Sequence, residues 1–377
     1  MDFEFSDDQV SLRDAVARWV DKGFGFERRH ALAKAGGASR EVLNELAELG
    51  LMGLAVPEAH GGLGFGPVEA MVVMEELGRG LVHAPYAAAA LVAPSLMMAA
   101  PESLRTQWLP RMATGEALVV LAHQERAARY RLHHVTTRAT AADGQHVLNG
   151  FKSVVPAGDE ADAFIVSARL SESYDDRRGI GLFLVERNGT GVSIRSYPTQ
   201  DGGRAAELTL ASAPATLITA AGFEPLERAA DIGIAAACAE GTGLMDRLVA
   251  ITTDYMNTRK QFGVPIASFQ ALRHRVADVK MQLELGRSMS YFASMKLGEP
   301  SAARRRALSQ AKVQLGRSMR HVGQECIQLH GGIGVTDEYI ASHYFKRLTM
   351  LEMTWGDTLH HLGEVSSRMQ DTAGVFA

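Results

Sequence analysis

From Ser6 to about Gly115 the apolar residues recur at helical spacing. Ser6 with Gln9 three residues on makes a capping box ahead of Val10, Leu12, Ala15, Val16 and Val20. A second helix is predicted over Arg40–Leu49 and stops at Gly50. Pro57 to Gly66 reads as a glycine-rich loop, and Pro67–Leu77 as helix again. From about Ala117 to Ala221 the period shortens toward two. Val119–Ala122, His146–Leu148, Ala163–Val166, Ile180–Val185, Val192–Arg195 and Glu207–Leu210 are expected as short strands, with Asp143-Gly144 and Asn149-Gly150 as tight turns. Long helical patterns return over Leu226–Thr258, Ser268–Leu297, Ala302–Leu329 and around Gly356–Arg368. Helices approaching thirty residues exceed the usual globular length and suggest a four-helix bundle whose outer faces pack on other subunits. The resulting order is an N-terminal helical domain (1–116), a middle β domain (117–223) and a C-terminal helical bundle (224–377), an α+β multidomain chain.

Composition narrows the function classes. Of 377 residues, 39 are Lys or Arg and 43 Asp or Glu, so the net charge of −4 argues against a broad nucleic-acid surface. It leaves room for small anionic ligands, which need only local positive charge. Two cysteines, Cys238 and Cys326, are too few for a disulfide framework or a Cys-rich zinc site. Asp2, Glu4, Asp7 and Asp8 give the start of the chain the wrong charge for a targeting peptide, and Leu81 to Ala100, with Pro85 and Pro94, is a poor membrane span. These features imply a cytoplasmic protein in a reducing compartment. The basic run Arg304-Arg305-Arg306 is expected on a solvated helix face.

No metal-ligand spacing is evident among the 13 histidines, no Walker sequence is present, and Gly61-Gly62-Leu63-Gly64 follows no predicted strand. Two segments stand out. Tyr255-Met256-Asn257-Thr258-Arg259-Lys260-Gln261-Phe262-Gly263-Val264-Pro265-Ile266, followed by Phe269-Gln270, breaks a long helix. It fits a helix C-terminus whose cations complement the dipole. It fits equally a guanidinium fork for a phosphate beside an aromatic face for a ring. Gln328-Leu329-His330-Gly331-Gly332-Ile333-Gly334 places three glycines in four positions after a long helix, where backbone can approach a ligand or simply turn.

Together, in this helix–β–helix order, the two segments resemble the acyl-CoA dehydrogenase family, and within it the small-subunit type of pimeloyl-CoA dehydrogenase. Gln124-Glu125-Arg126 with Arg129-Tyr130, Cys238-Ala239-Glu240, and His343-Tyr344-Phe345-Lys346-Arg347-Leu348-Thr349 carry the likeness further. The resemblance implies a flavoprotein oxidoreductase of fatty-acid β-oxidation that binds FAD between its β domain and C-terminal helices, with the adjoining subunit reaching over the cofactor. Arg259 is then expected on the diphosphate, with Gln261, Phe262 and Gln270 beside the cofactor and Gln328, His330, Gly331 and Gly332 lining it. The implied partners are an acyl-CoA substrate, an electron-transfer flavoprotein, and either further copies of this chain or a related large subunit.

Family chemistry takes a proton from the α-carbon of a thioester while hydride leaves the β-carbon, and so needs a carboxylate. The usual glutamate position holds Trp355, and the alternative position holds Gly233. Glu240, two helical turns beyond Gly233 in an otherwise apolar run, is the remaining candidate base; an arginine on a neighbouring helix would instead make it structural. Asp357 is a weaker candidate. The family's flavin-facing runs are replaced here by His123–Tyr130 and by Lys152-Ser153-Val154-Val155-Pro156. The competing reading is a non-catalytic partner subunit that lends the Arg259 and Gln328 regions to a neighbouring active site.

Overall fold

A computed structural model describes residues 5–37, 40–142, 145–171 and 173–369; the Asp143-Gly144 turn, Asp2 and Glu4 lie outside them. Contacts divide the chain into two compact units, one of residues 1–31, 67–82 and 234–377, the other of 32–66 and 83–233.

The first unit is helical. It holds α1 (Asp7–Gly23), the start of α2 (Phe26–Lys34), α4 (Pro67–Arg79), most of α7 (Phe223–Thr258), α8 (Gln270–Lys296), α9 (Ser301–His330), α10 (Ile340–Met353) and α11 (Thr358–Ser366). The capping box forms as the sequence predicts: the Gln9 N–H donates to Ser6 Oγ at 3.3 Å, and the Ser6 N–H to Gln9 Oε1 at 3.1 Å. α7, α8 and α9 run 36, 27 and 30 residues, each within a few residues of its predicted span. α9 is the central helix. Its buried Leu308, Ala311, Leu315, Met319, Val322 and Cys326 repeat at three- and four-residue spacing and pack α8, α10 and α11 around it. Burying each of the larger side chains contributes roughly 1.5–3 kcal/mol. α10 was not predicted as a helix, because its inward face carries Ser342, His343 and Glu352, which blur an apolar stripe. Arg304 and Arg305 are buried rather than solvated, which corrects the expectation for that run.

The second unit carries α3 (Arg40–Glu48), α5 (Ala93–Met97), α6 (Glu102–Ala113) and one seven-stranded sheet. Its strands are β1 (Val119–Ala122), β2 (Arg138–Ala142), β3 (Gln145–Pro156), β4 (Ala163–Arg169), β5 (Ile180–Glu186), β6 (Val192–Pro198) and β7 (Arg204–Thr219). The pairings β4–β2–β3–β7–β5 return to β4, so five strands close a barrel; β1 adds to β4 in parallel and β6 to β7 antiparallel. Asn149-Gly150 is not a turn between strands. It lies inside β3 at a register shift between Leu148 and Gly150, where a Cβ on Gly150 would stand 2.5 Å from Thr137 Oγ1. Among the described residues no helix is long and apolar enough to cross a membrane.

Candidate functional site

The first motif is a helix end followed by a tight hairpin. α7 stops at Thr258, and the Arg259 N–H closes it on Tyr255 O at 2.8 Å. Strands β8 (Lys260–Gln261) and β9 (Val264–Pro265) then pair across Phe262 and Gly263, whose φ angles of 54° and 81° make the turn left-handed at both positions. Phe262 is 93% exposed, meeting Phe269 edge-on at 6.1 Å. The Arg259 and Gln261 side chains point into solvent, and Arg259 has no side-chain partner among the described residues. At the hairpin's root, Ile266 packs with Met256 and Leu329, with Tyr255 and Leu272 against them.

That cluster joins the two motifs, since Leu329 lies between Gln328 and His330. Gln328 is exposed, and Gln270, also exposed, opens α8 beside the hairpin. His330 is buried; its Nδ1–H donates to Cys326 O at 2.8 Å, its ring lies 4.6 Å from that of Tyr255, and burial lowers its pKa. Nε2 is therefore a lone-pair acceptor, and it has no partner. Gly331, at φ 64° and ψ −142°, adopts a backbone only glycine takes readily, and a Cβ built on Gly331 or Gly332 would meet nothing within 4 Å. The two motifs, joined through that cluster, expose an unpaired guanidinium, an aromatic ring, three amide side chains and open glycine backbone.

Glu240 stands apart from the two motifs. It lies fifteen residues before Tyr255 on α7, about 22 Å along the helix axis. Arg347 of α10 holds it in a fork, Nε to Oε1 at 2.6 Å and Nη2 to Oε2 at 2.8 Å. Asp357 serves as N-cap of α11, its Oδ1 accepting the His360 N–H at 2.7 Å. Trp355 lies in the turn between α10 and α11.

In the barrel unit the run His123–Tyr130 is anchored by a buried ion pair. Lys152, fully buried on β3, donates to Glu125 Oε1 at 2.7 Å, to Ser167 Oγ at 3.1 Å and to His123 O at 3.3 Å. Glu125 also accepts from the Thr136 N–H (2.8 Å), the Thr137 N–H (3.0 Å), Thr137 Oγ1 (2.8 Å) and Thr136 Oγ1. Burial would raise the Glu125 pKa, but the Lys152 ammonium and these hydrogen bonds hold it down at about 2. Burial lowers Lys152 to about 8 against the pull of Glu125. It also takes His123, bonded through Nδ1 to Ser167 Oγ at 2.7 Å, down to about 3. The sequence signal was a lysine at an inward position of a β-strand.

His30, Asp337 and His343 converge in the helical unit, a grouping that chain spacing could not show. Arg29 Nη1 donates to His343 Nδ1 at 2.6 Å, which leaves the His343 proton on Nε2, facing Asp337 O at 2.8 Å. Lys346 adds a second cation on Asp337 Oδ1 at 3.2 Å. A ligating histidine wants an acceptor behind it, and here it has an arginine, so the trio is a hydrogen-bonded cluster with the wrong surroundings for a metal ion.

Three family models match the chain: "Acyl-CoA dehydrogenase, N-terminal domain" over residues 6–116, the middle domain over 121–212 and the C-terminal domain over 220–369. A probable acyl-CoA dehydrogenase of Bacillus subtilis, YngJ, is 27% identical over 367 residues, covering 94% of this chain and 96% of its own. Among solved structures, the Tcur3481-Tcur3483 steroid ACAD superposes with a TM-score of 0.88 at 26% identity, over 98% of this chain and 99% of that one. A chain in a structure titled for the electron transferring flavoprotein of Acidaminococcus fermentans gives a TM-score of 0.89 at 26% identity, with the same coverage.

Proposed function

Because the chain belongs to the acyl-CoA dehydrogenase family, whose members are oxidoreductases, we propose that it serves in the α,β-dehydrogenation of an acyl-CoA thioester. It would do so as a subunit of an FAD-dependent, cytoplasmic oligomer that hands its electrons to an electron-transfer flavoprotein. The observation that carries this reading is the Lys260–Pro265 hairpin, which presents Phe262 and an unpaired Arg259 to solvent. Such a projection fits an anionic diphosphate with ring systems at its ends, bound to a neighbouring subunit.

Arg259 would pair with the diphosphate. Phe262 would cover a ring face, with Gln261 and Gln270 as amide partners. Gln328, Gly331 and Gly332 would offer side-chain and main-chain hydrogen bonds, and the His330 Nε2 lone pair a place for a donor. FAD, when bound, supplies the hydride acceptor. Proton removal falls to this chain only if Glu240 is freed from Arg347. The acyl chain is proposed to be dicarboxylic or similarly polar.

A second reading is favoured by one specific observation: Arg347 engages both oxygens of Glu240, while positions 233 and 355 carry glycine and tryptophan. On that reading the chain is a non-catalytic partner subunit, and the base belongs to a related large subunit. The two-part name of the Tcur3481-Tcur3483 protein is consistent with such an arrangement. The test is to purify the chain alone, record flavin absorbance, and add a panel of acyl-CoAs with an artificial electron acceptor. Bound flavin that bleaches with one thioester excludes the partner-subunit reading. Colourless protein that gains flavin only on co-expression with a large-subunit homologue excludes self-sufficiency.

A further inference from the structure

On the outer face of the barrel, Glu207 of β7 lies directly opposite Arg195 of β6. Arg195 Nε donates to Glu207 Oε2 at 2.9 Å, with Nη2 on the same oxygen, and Arg126 Nη2 donates to Oε1 at 2.6 Å. One carboxylate thus orients two guanidiniums. Its side chain is 12% exposed, while those of Arg126 and Arg195 are 73% and 74% exposed. Neither arginine has another hydrogen-bond partner among the described residues, so each keeps N–H groups facing solvent. Arg126 also lies over the Phe151 ring of β3, 5.4 Å from its centre. The loop that carries Arg126 is anchored. Its neighbour Glu125 is the carboxylate that Lys152 holds inside the barrel, the Ser153 N–H donates to Gln124 O at 2.8 Å, and Gln124 Nε2 donates to Arg129 O at 2.6 Å. Arg129, exposed at φ 50°, adds a third cation on the same turn. Past Lys152, the irregular stretch of β3 turns out Val154, 52% exposed at φ 52°, a backbone that β-branched residues avoid. A strained, exposed apolar residue on the same strand as Phe151 points to a contact made there.

We propose that this face binds the phosphate of an adenosine nucleotide. Arg126 and Arg195 fork its oxygens, and the base stacks on the open side of the Arg126 guanidinium, whose other side covers Phe151. Guanidiniums already oriented by a shared carboxylate lose little freedom on binding, and each fork offers a phosphate two parallel N–H bonds. Three arginines against one carboxylate leave the face cationic. Hydrogen bonds from Arg195 and then Arg126 hold the Glu207 carboxyl below its usual range, so the clamp is intact at neutral pH. The same chemistry has two sources, the nucleotide end of an acyl-CoA and a free nucleotide such as ADP. Only the first of these rests on the acyl-CoA reading; the phosphate site does not.

Isothermal titration of the whole purified chain with adenosine 3′,5′-bisphosphate tests the site. The wild type should bind it, and Arg126→Met and Arg195→Met should each weaken binding about tenfold, the loss of one fork. Adenosine, which lacks the phosphates, should bind more weakly than the bisphosphate by about the same factor. Arg178→Met removes a 93% exposed arginine of the same unit and should leave the affinity unchanged. If either clamp variant melts early, Arg126→Lys and Arg195→Lys keep the charge but lose the fork, and should still weaken binding. No binding at about 1 mM bisphosphate, or equal losses from Arg178→Met and the clamp variants, overturns the site. Octanoyl-CoA that loses the same factor in both clamp variants identifies CoA as the source. Octanoyl-CoA that ignores them, while ADP loses about tenfold, overturns CoA as the source and leaves the free nucleotide. Flavin bleaching by a thioester judges the acyl-CoA reading separately, because it does not depend on the bisphosphate titration.

Discussion

Replacing Glu240 separates a catalytic carboxylate from a structural one. The Arg347 fork is bidentate, and the two side chains are 18% and 9% exposed, arginine first. Removing one partner of a buried pair costs about 3–5 kcal/mol, because the other is left charged and poorly solvated. Arg347 keeps some exposure and a further contact, which places the expectation at the lower end. Glu240→Gln and Arg347→Met should each cost about 3 kcal/mol in urea unfolding at fixed protein concentration, with unchanged m-value. The double variant, which leaves no orphaned charge, should cost no more than either single one, a coupling of about 3 kcal/mol. Flavin bleaching by an acyl-CoA supplies the second readout. A base predicts that Glu240→Gln abolishes bleaching while Arg347→Met spares it; a structural pair predicts equal effects from both. Additive losses, or single losses below about 1 kcal/mol, would refute the reading of this fork as a buried pair.

Arg259→Ala should lower flavin retention by at least tenfold, about 1.4 kcal/mol, without changing the melting temperature of the apoprotein, since the Arg259 side chain is exposed and its main-chain hydrogen bonds survive the substitution. Gly78→Ala should destabilise by about 1–3 kcal/mol in thermal unfolding, because its Cβ would stand 2.2 Å from Glu240 O, a main-chain atom that cannot step aside. Glu125 should dominate the acid limb of stability: its pKa is depressed from 4.5 to about 2, so its contribution is complete above pH 4.5 and lost as pH falls through 2. The depression is worth about 3 kcal/mol, and Glu125→Gln should flatten the fall in denaturation midpoint between those values. Lys152 acts with the same sign in a higher window: its pKa is lowered from 10.5 to about 8, so stability should rise as pH rises between them.

Elements governed by local rules were legible in the sequence. The Ser6 capping box depends on residues three apart, and the three long C-terminal helices on an apolar stripe that repeats along each. The two candidate segments were legible too, because a left-handed turn at Phe262-Gly263 and an open backbone at Gly331 are written into the residues themselves. β2, Arg138–Ala142, escaped because Arg-Ala-Thr-Ala-Ala shows no alternation; β3, read only as His146–Leu148, supplies most of its pairing partners. Asn149-Gly150 was misplaced for a related reason: the dipeptide that favours a hairpin also suits a bulge where Thr137 crowds the chain.

The charged residues inside the core were hardest to read, and they matter most to the candidate site. Lys152, Lys312 and Arg304 look like surface residues by type, yet each is buried. Such a group persists inside only where several acceptors converge on it, as the Glu125 carboxylate, Ser167 Oγ and the His123 carbonyl do around Lys152 and three carbonyls do around Lys312. That convergence is set by tertiary packing, so no window of sequence contains it. The same logic separates the two halves of the functional question. Arg259, Phe262 and the glycine turn need only to be presented, which local chain geometry accomplishes. A base needs a carboxylate left unpaired in a dry site, and Arg347 engages both oxygens of Glu240, the candidate read from the sequence. A subunit contributing only to a neighbour's cofactor needs presentation and no base, which is why the stability coupling of Glu240 with Arg347 bears directly on function.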